Sequence, residues 1–243
     1  MKDKLCALLP LGLVAAVALP CGAITFTVTN ALDSGAGSLR ATITGANATP
    51  GGTNVIQFNI PPLDGTVKTI TPITALPTLT RPVIIDGYTQ PGASQNTLSN
   101  GDDAKPLIEL NGAVLGNDGT GLVISGGGGG STVRGLVIDN GWSIGILIAT
   151  TNVAVEGCFL GTDPTGLIAR PVGKGVDIDP PAASCRVGGT SLGQRNVISG
   201  NGTGVAILGG TNHLVAGNFI GTDATGTNAR ARMTKSARTR RTG

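Results

Sequence analysis

Gly121-Leu-Val-Ile124, Gly145-Ile-Leu-Ile148, Gly175-Val-Asp-Ile178 and Gly204-Val-Ala-Ile207 are one phrase written four times at nearly even intervals along the chain. Each reads as a short strand that opens on glycine and alternates apolar residues. A second arm follows each: Val133-Arg-Gly-Leu-Val-Ile138, Val155-Glu-Gly-Cys-Phe-Leu160, Val187-Gly-Gly189 leading into Asn196-Val-Ile-Ser-Gly-Asn201, and Val215-Ala-Gly-Asn-Phe-Ile220. A third phrase, Gly161-Thr-Asp-Pro-Thr-Gly166, returns two repeats later as Gly221-Thr-Asp-Ala-Thr-Gly226. Strands this short, each closed by Gly, Asn or Asp, cannot bury both sides of a hairpin sheet. They can coil. If each turn lies on the one before, equivalent strands pair in parallel about 4.8 Å apart and their inward Val, Ile and Leu stack into one core.

Composition points the same way. Glycine is 40 of 243 residues, more than twice the usual ~7%, while aromatics are 2% and charged residues 13%. A collagen is excluded by the missing Gly-X-Y period, and the 40% hydrophobic content opposes disorder. A narrow coil suits aliphatic side chains better than rings, and glycine serves corners that need positive φ. Asn201 and Asn218 fall at such corners, where an Asn side chain bonds backbone amides of its own turn or stacks on another Asn.

The phrases Asn196-Val-Ile-Ser-Gly-Asn201 and Val215-Ala-Gly-Asn-Phe-Ile-Gly-Thr-Asp223, with the GTDxTG loops, resemble the right-handed parallel β-helix repeats of bacterial secreted and cell-surface proteins, related in fold to pectin and pectate lyases. Residues 26–47 and 76–92 are similar to the segment that opens such domains. The resemblance implies an all-β fold, a right-handed parallel β-helix or solenoid with a short N-terminal capping helix. It says little about activity, because that fold hosts lyases, hydrolases, adhesins and inert stalks.

Four segments are expected. Residues 1–23 read as a secretory signal peptide: Lys2 and Lys4 precede an apolar run over 5–19, which is closed by Pro20-Cys21-Gly22-Ala23 and is shorter than the ~20 residues that span a bilayer. A lipoprotein reading through Cys21 is opposed by Pro20. Residues 24–120 read as the N-terminal cap and first rungs. There Ser38 caps a helix carrying Leu39, Ile43 and Ala46 on one face, and strands follow at 54–60, 67–70, 83–85 and 107–110. Residues 61–62, 101–106 and 126–130 read as loops. The glycine run in the last lacks the Lys-Ser/Thr of a phosphate-binding loop. Residues 121–228 read as repeats and 229–243 as a basic disordered tail.

Charge divides the chain. Residues 24–229 hold nine Lys and Arg against thirteen Asp and Glu, a net −4, whereas 230–243 hold six cations and no acid. Export argues against nucleic acid as the tail's partner, and the abrupt loss of pattern after Asn228 reads as a frameshifted or truncated end of a longer repeat protein. Removal of the leader takes Cys6 and Cys21 and leaves Cys158 and Cys185. The repeat alignment sets Cys185 level with Val153, off the position of Cys158, which favours two buried thiols over a disulfide.

Candidate chemistry is sparse. Asp177 and Asp179 flank Ile178 and point to one outer face, as two carboxylates of a glycan-cleaving site would, with Arg186 or Arg195 as a possible third member. A solvated strand face ended by Pro180 and Pro181 is the plainer reading. His213, the one histidine, falls at a corner. Asp163 and Asp223 recur at one position of the coil, too far apart to share an ion; each either makes an Asx turn in its own loop or helps hold a calcium ion there. No other cofactor is expected. Trp142 and Tyr88 are the aromatics that could stack on a sugar, and either could equally be ordinary packing. The expected function is an exported, non-catalytic surface or envelope module, adhesin- or stalk-like, touching polysaccharide or cell-surface components, secreted or at the cell surface or periplasm, with no membrane span after leader removal. The alternative is a polysaccharide lyase or glycoside hydrolase.

Overall fold

A computed structural model of the chain describes residues 22–229. Most of the leader and the whole of the basic run 230–243 lie outside the described residues. The repeated phrases become strands of three parallel sheets. One sheet has seven strands, in the spatial order Thr25–Val28, Asn54–Phe58, Val83–Asp86, Thr132–Arg134, Ala154–Glu156, Arg186–Gly188 and Leu214–Ala216. A second has six: Lys68–Ile70, Ile108–Asn111, Leu136–Asp139, Phe159–Leu160, Val197–Ile198 and Phe219–Ile220. The third has four: Thr120–Ser125, Ile144–Ala149, Lys174–Ile178 and Thr203–Ile207. From residue 120 onward the chain visits the third, first and second sheets in that order, four times over.

The Gly-x-x-Ile phrase forms the third sheet, and its register aligns Leu122, Ile146, Val176 and Val205. The second arm differs from its sequence reading. It is not one strand but two, belonging to different sheets. Gly135, Gly157 and Gly217, at φ of 67°, 59° and 69°, turn the chain between the halves. An L side chain rarely adopts that left-handed backbone, so glycine inside an otherwise apolar run marks a corner. In the remaining repeat a longer connection carrying the short 3-10 turn Leu192–Gln194 separates Arg186–Gly188 from Val197–Ile198.

Alternation then sorts the side chains. Leu136 and Ile138, Val176 and Ile178, Val133, Val155 and Val187 all lie in one continuous core, each fully buried. The helix spans Leu39–Ala48. Ser38 accepts a hydrogen bond from the Ala41 amide, and Leu39, Ile43 and Ala46 are buried with Val28 and Ile56. It packs on the first two strands of the seven-stranded sheet and covers the core there. At the other limit of the sheets, Ile207, Leu214, Val215 and Ile220 are 38–48% exposed.

Asparagine side chains tie successive repeats together, and they reach further than their own turns. Asn196 accepts from the Cys158 amide (2.8 Å) and donates to Val155 O (3.0 Å) and to Asn218 Oδ1 (2.8 Å). Asn218 in turn donates to Val187 O, and Asn201 joins Leu160 O to the Val172 amide. These groups would otherwise be buried without partners, which is the cost such ladders remove.

Candidate functional site

The residues singled out in the sequence fall on separate faces. Asp177 points away from the core between Leu147 and Ala206, as alternation requires. It is not a solvated carboxylate: it is 1% exposed, and its Oδ2 accepts a hydrogen bond from Lys174 Nζ. Asp179 follows at a turn in which the Ala182 amide donates to its carbonyl. Asp177 Oδ1 and Asp179 Oδ1 are buried without hydrogen-bond partners. Arg186 stands on the seven-stranded sheet, not on this one, and pairs with Glu156 at 2.7 Å. Arg195 clasps the 98–101 loop through three of its carbonyls and lies 4.5 Å over the Phe219 ring. Asp177 and Asp179 thus stand at the end of one strand of the third sheet, and both arginines lie elsewhere.

The GTDxTG loops are closed by their own donors. Asp163 Oδ1 accepts from Thr165 Oγ1, Leu167 N and Ile168 N, and Asp223 accepts from Thr225 N, Thr225 Oγ1 and Asn228 Nδ2. Burial raises the Asp223 pKa, and the bonds from Thr225 and Asn228 outweigh it, so the carboxyl stays below its usual range. With these donors in place each loop closes on its own carboxylate without an ion, and no group of three or more His, Cys, Asp and Glu is placed to hold a metal among the described residues. Melting temperature after chelation is accordingly expected to stay unchanged when millimolar calcium is added back; a rise would restore the calcium reading.

These loops serve a packing role instead. Gly166 lies over Phe159 and Gly226 over Phe219, where an added Cβ would stand 3.0 Å and 2.8 Å from the rings. Beneath them Val137, Phe159, Val197 and Ala224 form a small apolar cluster on the outside of the six-stranded sheet. The loops are also joined to each other and to residue 102, through Ala224 N to Gly166 O and Asp102 N to Ala224 O.

Beside that cluster is a grouping that the sequence reading passed over. Glu109 and Asp139 project outward from adjacent strands of the six-stranded sheet, two positions apart in register. Both are buried, at 4% and 0% exposure. Arg170, closing the 161–170 loop, reaches Glu109 at 2.9 Å and Asp139 at 3.4 Å, and Thr69 donates to the other Glu109 oxygen at 2.5 Å. Burial, reinforced by the neighbouring Glu109 charge, pushes the Asp139 carboxyl up to about 8 despite Arg170. A signal existed. Glu109 interrupts Leu107-Ile-Glu-Leu110, and Asp139 ends Leu136-Val-Ile-Asp139 one repeat later.

The remaining candidates are structural. His213 is half-buried, accepting at Nδ1 from the Cys185 amide and facing Gly209 O with Nε2, the pattern of a neutral imidazole with its proton on Nε2. Cys158 and Cys185 are free, buried thiols; burial pushes Cys158 up to about 12. Trp142 is fully buried with its Nε1 donating to Leu110 O, and Tyr88 OH donates to Gly157 O at 2.6 Å across the corner glycines. The Trp142 ring offers no free stacking face, and the half-buried Tyr88 lies against Gly135 and Gly157. No helix of the described residues is long and apolar enough to cross a membrane. Comparison of the sequence with protein-family models and with curated proteins finds no match to either.

Proposed function

We propose that the three parallel sheets are the faces of one right-handed parallel β-helix of the pectin-lyase-like kind, exported through the 1–23 leader, and that the protein is a non-catalytic surface or envelope module of adhesin or stalk type. One observation carries the reading: polar side chains on the outside are committed to neighbouring repeats. Asp86 pairs with Arg134 at 2.6 Å and Glu156 with Arg186 at 2.7 Å, each between strands of one sheet, while Asn196, Asn201 and Asn218 bond across repeats. Such commitments stiffen a stack and leave shallow faces for polysaccharide or cell-surface components. The sequence pattern past Asn228 supports the further proposal that this chain derives from a longer repeat protein.

A second reading, a polysaccharide lyase or glycoside hydrolase, draws on the buried Glu109 and Asp139 pair, since two neighbouring carboxyls are what acid–base cleavage of glycans uses and burial raises the proton affinity of Asp139. One experiment separates the two. The full chain is incubated with a panel of acidic and neutral polysaccharides, with and without calcium, and products are followed by reducing-end and unsaturated-uronate assays. The module reading expects no products, together with an exported form beginning near Ile24 by mass spectrometry. Turnover that falls at least a hundredfold in Asp139→Asn or Asp177→Asn would overturn it.

A further inference from the structure

Glu109, Asp139 and Arg170 pose a problem of charge. Two buried carboxyls face one guanidinium, and Asp139 Oδ1 has no hydrogen-bond partner when that carboxyl is ionised. A buried excess negative charge is strongly disfavoured, and a proton on one carboxyl removes it. The charged groups facing Asp139 are Glu109 from the strand on one side and Arg170 from the 161–170 loop. The strand on its other side, Phe159–Leu160, brings none.

We propose that the proton held between Asp139 and Glu109 is a latch on the 161–170 loop: protonated, the pair is neutralised by Arg170 and the loop stays shut over Phe159; without the proton, the excess charge drives the loop open and bares the Val137–Phe159–Val197 strip. The loop is a unit able to move in this way. Its two ends are joined by Arg170 N to Gly161 O and its tip by Asp163 N to Ile168 O; its base is held by Gly161 N to Ile138 O, and what must release for it to swing out is Arg170 from the two carboxyls, Asn140 N from Arg170 O, Ala224 N from Gly166 O and Gly166 from the Phe159 ring. The direction of the dependence follows from linkage. In the open loop Asp139 meets water and titrates near the ordinary ~3.9, while in the closed loop it holds its proton up to about 8. Opening therefore releases one proton between those limits, and the open fraction rises about tenfold per pH unit as pH climbs from 5 towards 8, then levels off.

Amide hydrogen exchange on the full chain, expressed as protection factors to remove the intrinsic pH dependence, tests this between pH 5 and 9. Amides of Ala224 and Asn140, whose bonds to Gly166 O and Arg170 O break when the loop swings out, are expected to lose protection about tenfold per unit up to pH 8, while Val176 and Ile146 in the third sheet stay level. Asp139→Asn and, independently, Glu109→Gln should flatten that profile, since either leaves a single carboxylate whose charge Arg170 balances without a proton. Asp102, whose carboxyl burial raises to about 6, touches the neighbouring loop through Ala224, so the series is repeated in Asp102→Asn, where the slope should persist. A flat profile in the unsubstituted protein overturns the latch. So does an unchanged slope in both neutralised variants, or a slope shared equally by the core amides, which would tie the proton to the whole fold.

Discussion

Trp142→Ala is expected to lower the free energy of unfolding by about 3–5 kcal/mol. The indole is fully buried and is the largest side chain in that condition. It fills a space left by two glycines: a Cβ on Gly112 would stand 2.7 Å from the ring and one on Gly119 3.0 Å. Alanine would leave a cavity that neither glycine can fill, and Leu110 O would lose its Nε1 donor at 3.2 Å. Trp142→Phe separates the contributions, keeping most of the volume while losing the hydrogen bond, with an expected cost of about 1–2 kcal/mol. Denaturant unfolding followed by circular dichroism reads both. A loss below about 1 kcal/mol in the alanine variant would mean that the ring does not hold this corner closed.

The second large effect is expected at Asn196, whose side chain serves three partners in two other repeats. Asn196→Ala strands the Cys158 amide and Val155 O in a region where both residues are fully buried, and leaves Asn218 Oδ1 with the Asn196 backbone amide alone. Each unsatisfied buried group costs about 1–3 kcal/mol, and because the losses overlap the total is put at about 2–4 kcal/mol. Asn196→Asp sharpens the test. It keeps the shape and the acceptor for Cys158 but sets a carboxylate oxygen against Val155 O and Asn218 Oδ1, so its loss should equal or exceed that of alanine. An aspartate variant as stable as the parent would show that the donor bonds of Asn196 contribute nothing.

The two sites have different histories in the sequence. The Asn ladder was visible in outline, because Asn201 and Asn218 recur at the ends of repeated phrases. Its true span was not. The side chains reach groups in other repeats, and which groups these are depends on how the repeats are stacked. Trp142 gave no sign either way, since a single aromatic beside Gly141 suits a surface and a core equally well.

Local patterns were enough for the parts of this protein whose causes are local. Ser38 before a stripe of Leu39, Ile43 and Ala46 specifies a capped helix on its own, because capping and a 3.6-residue period act within one turn. Gly-x-x-Ile specifies a strand with an inward and an outward side by the same logic, and its recurrence specifies parallel pairing. The sheet count was decided only when the chain folded: Gly135, Gly157 and Gly217 sit inside apolar runs that read as continuous strands, and their positive φ emerges once each half pairs with a different sheet. The candidate chemistry was decided there too. Asp177 and Asp179 share a face by alternation alone, but whether that face is wet depends on Lys174. Glu109, Asp139 and Arg170 belong to three separate segments of the chain and become neighbours only through strand register and the return of one loop. A proton affinity set by burial and by two charges from distant segments is a property of that meeting, and no stretch of sequence contains it.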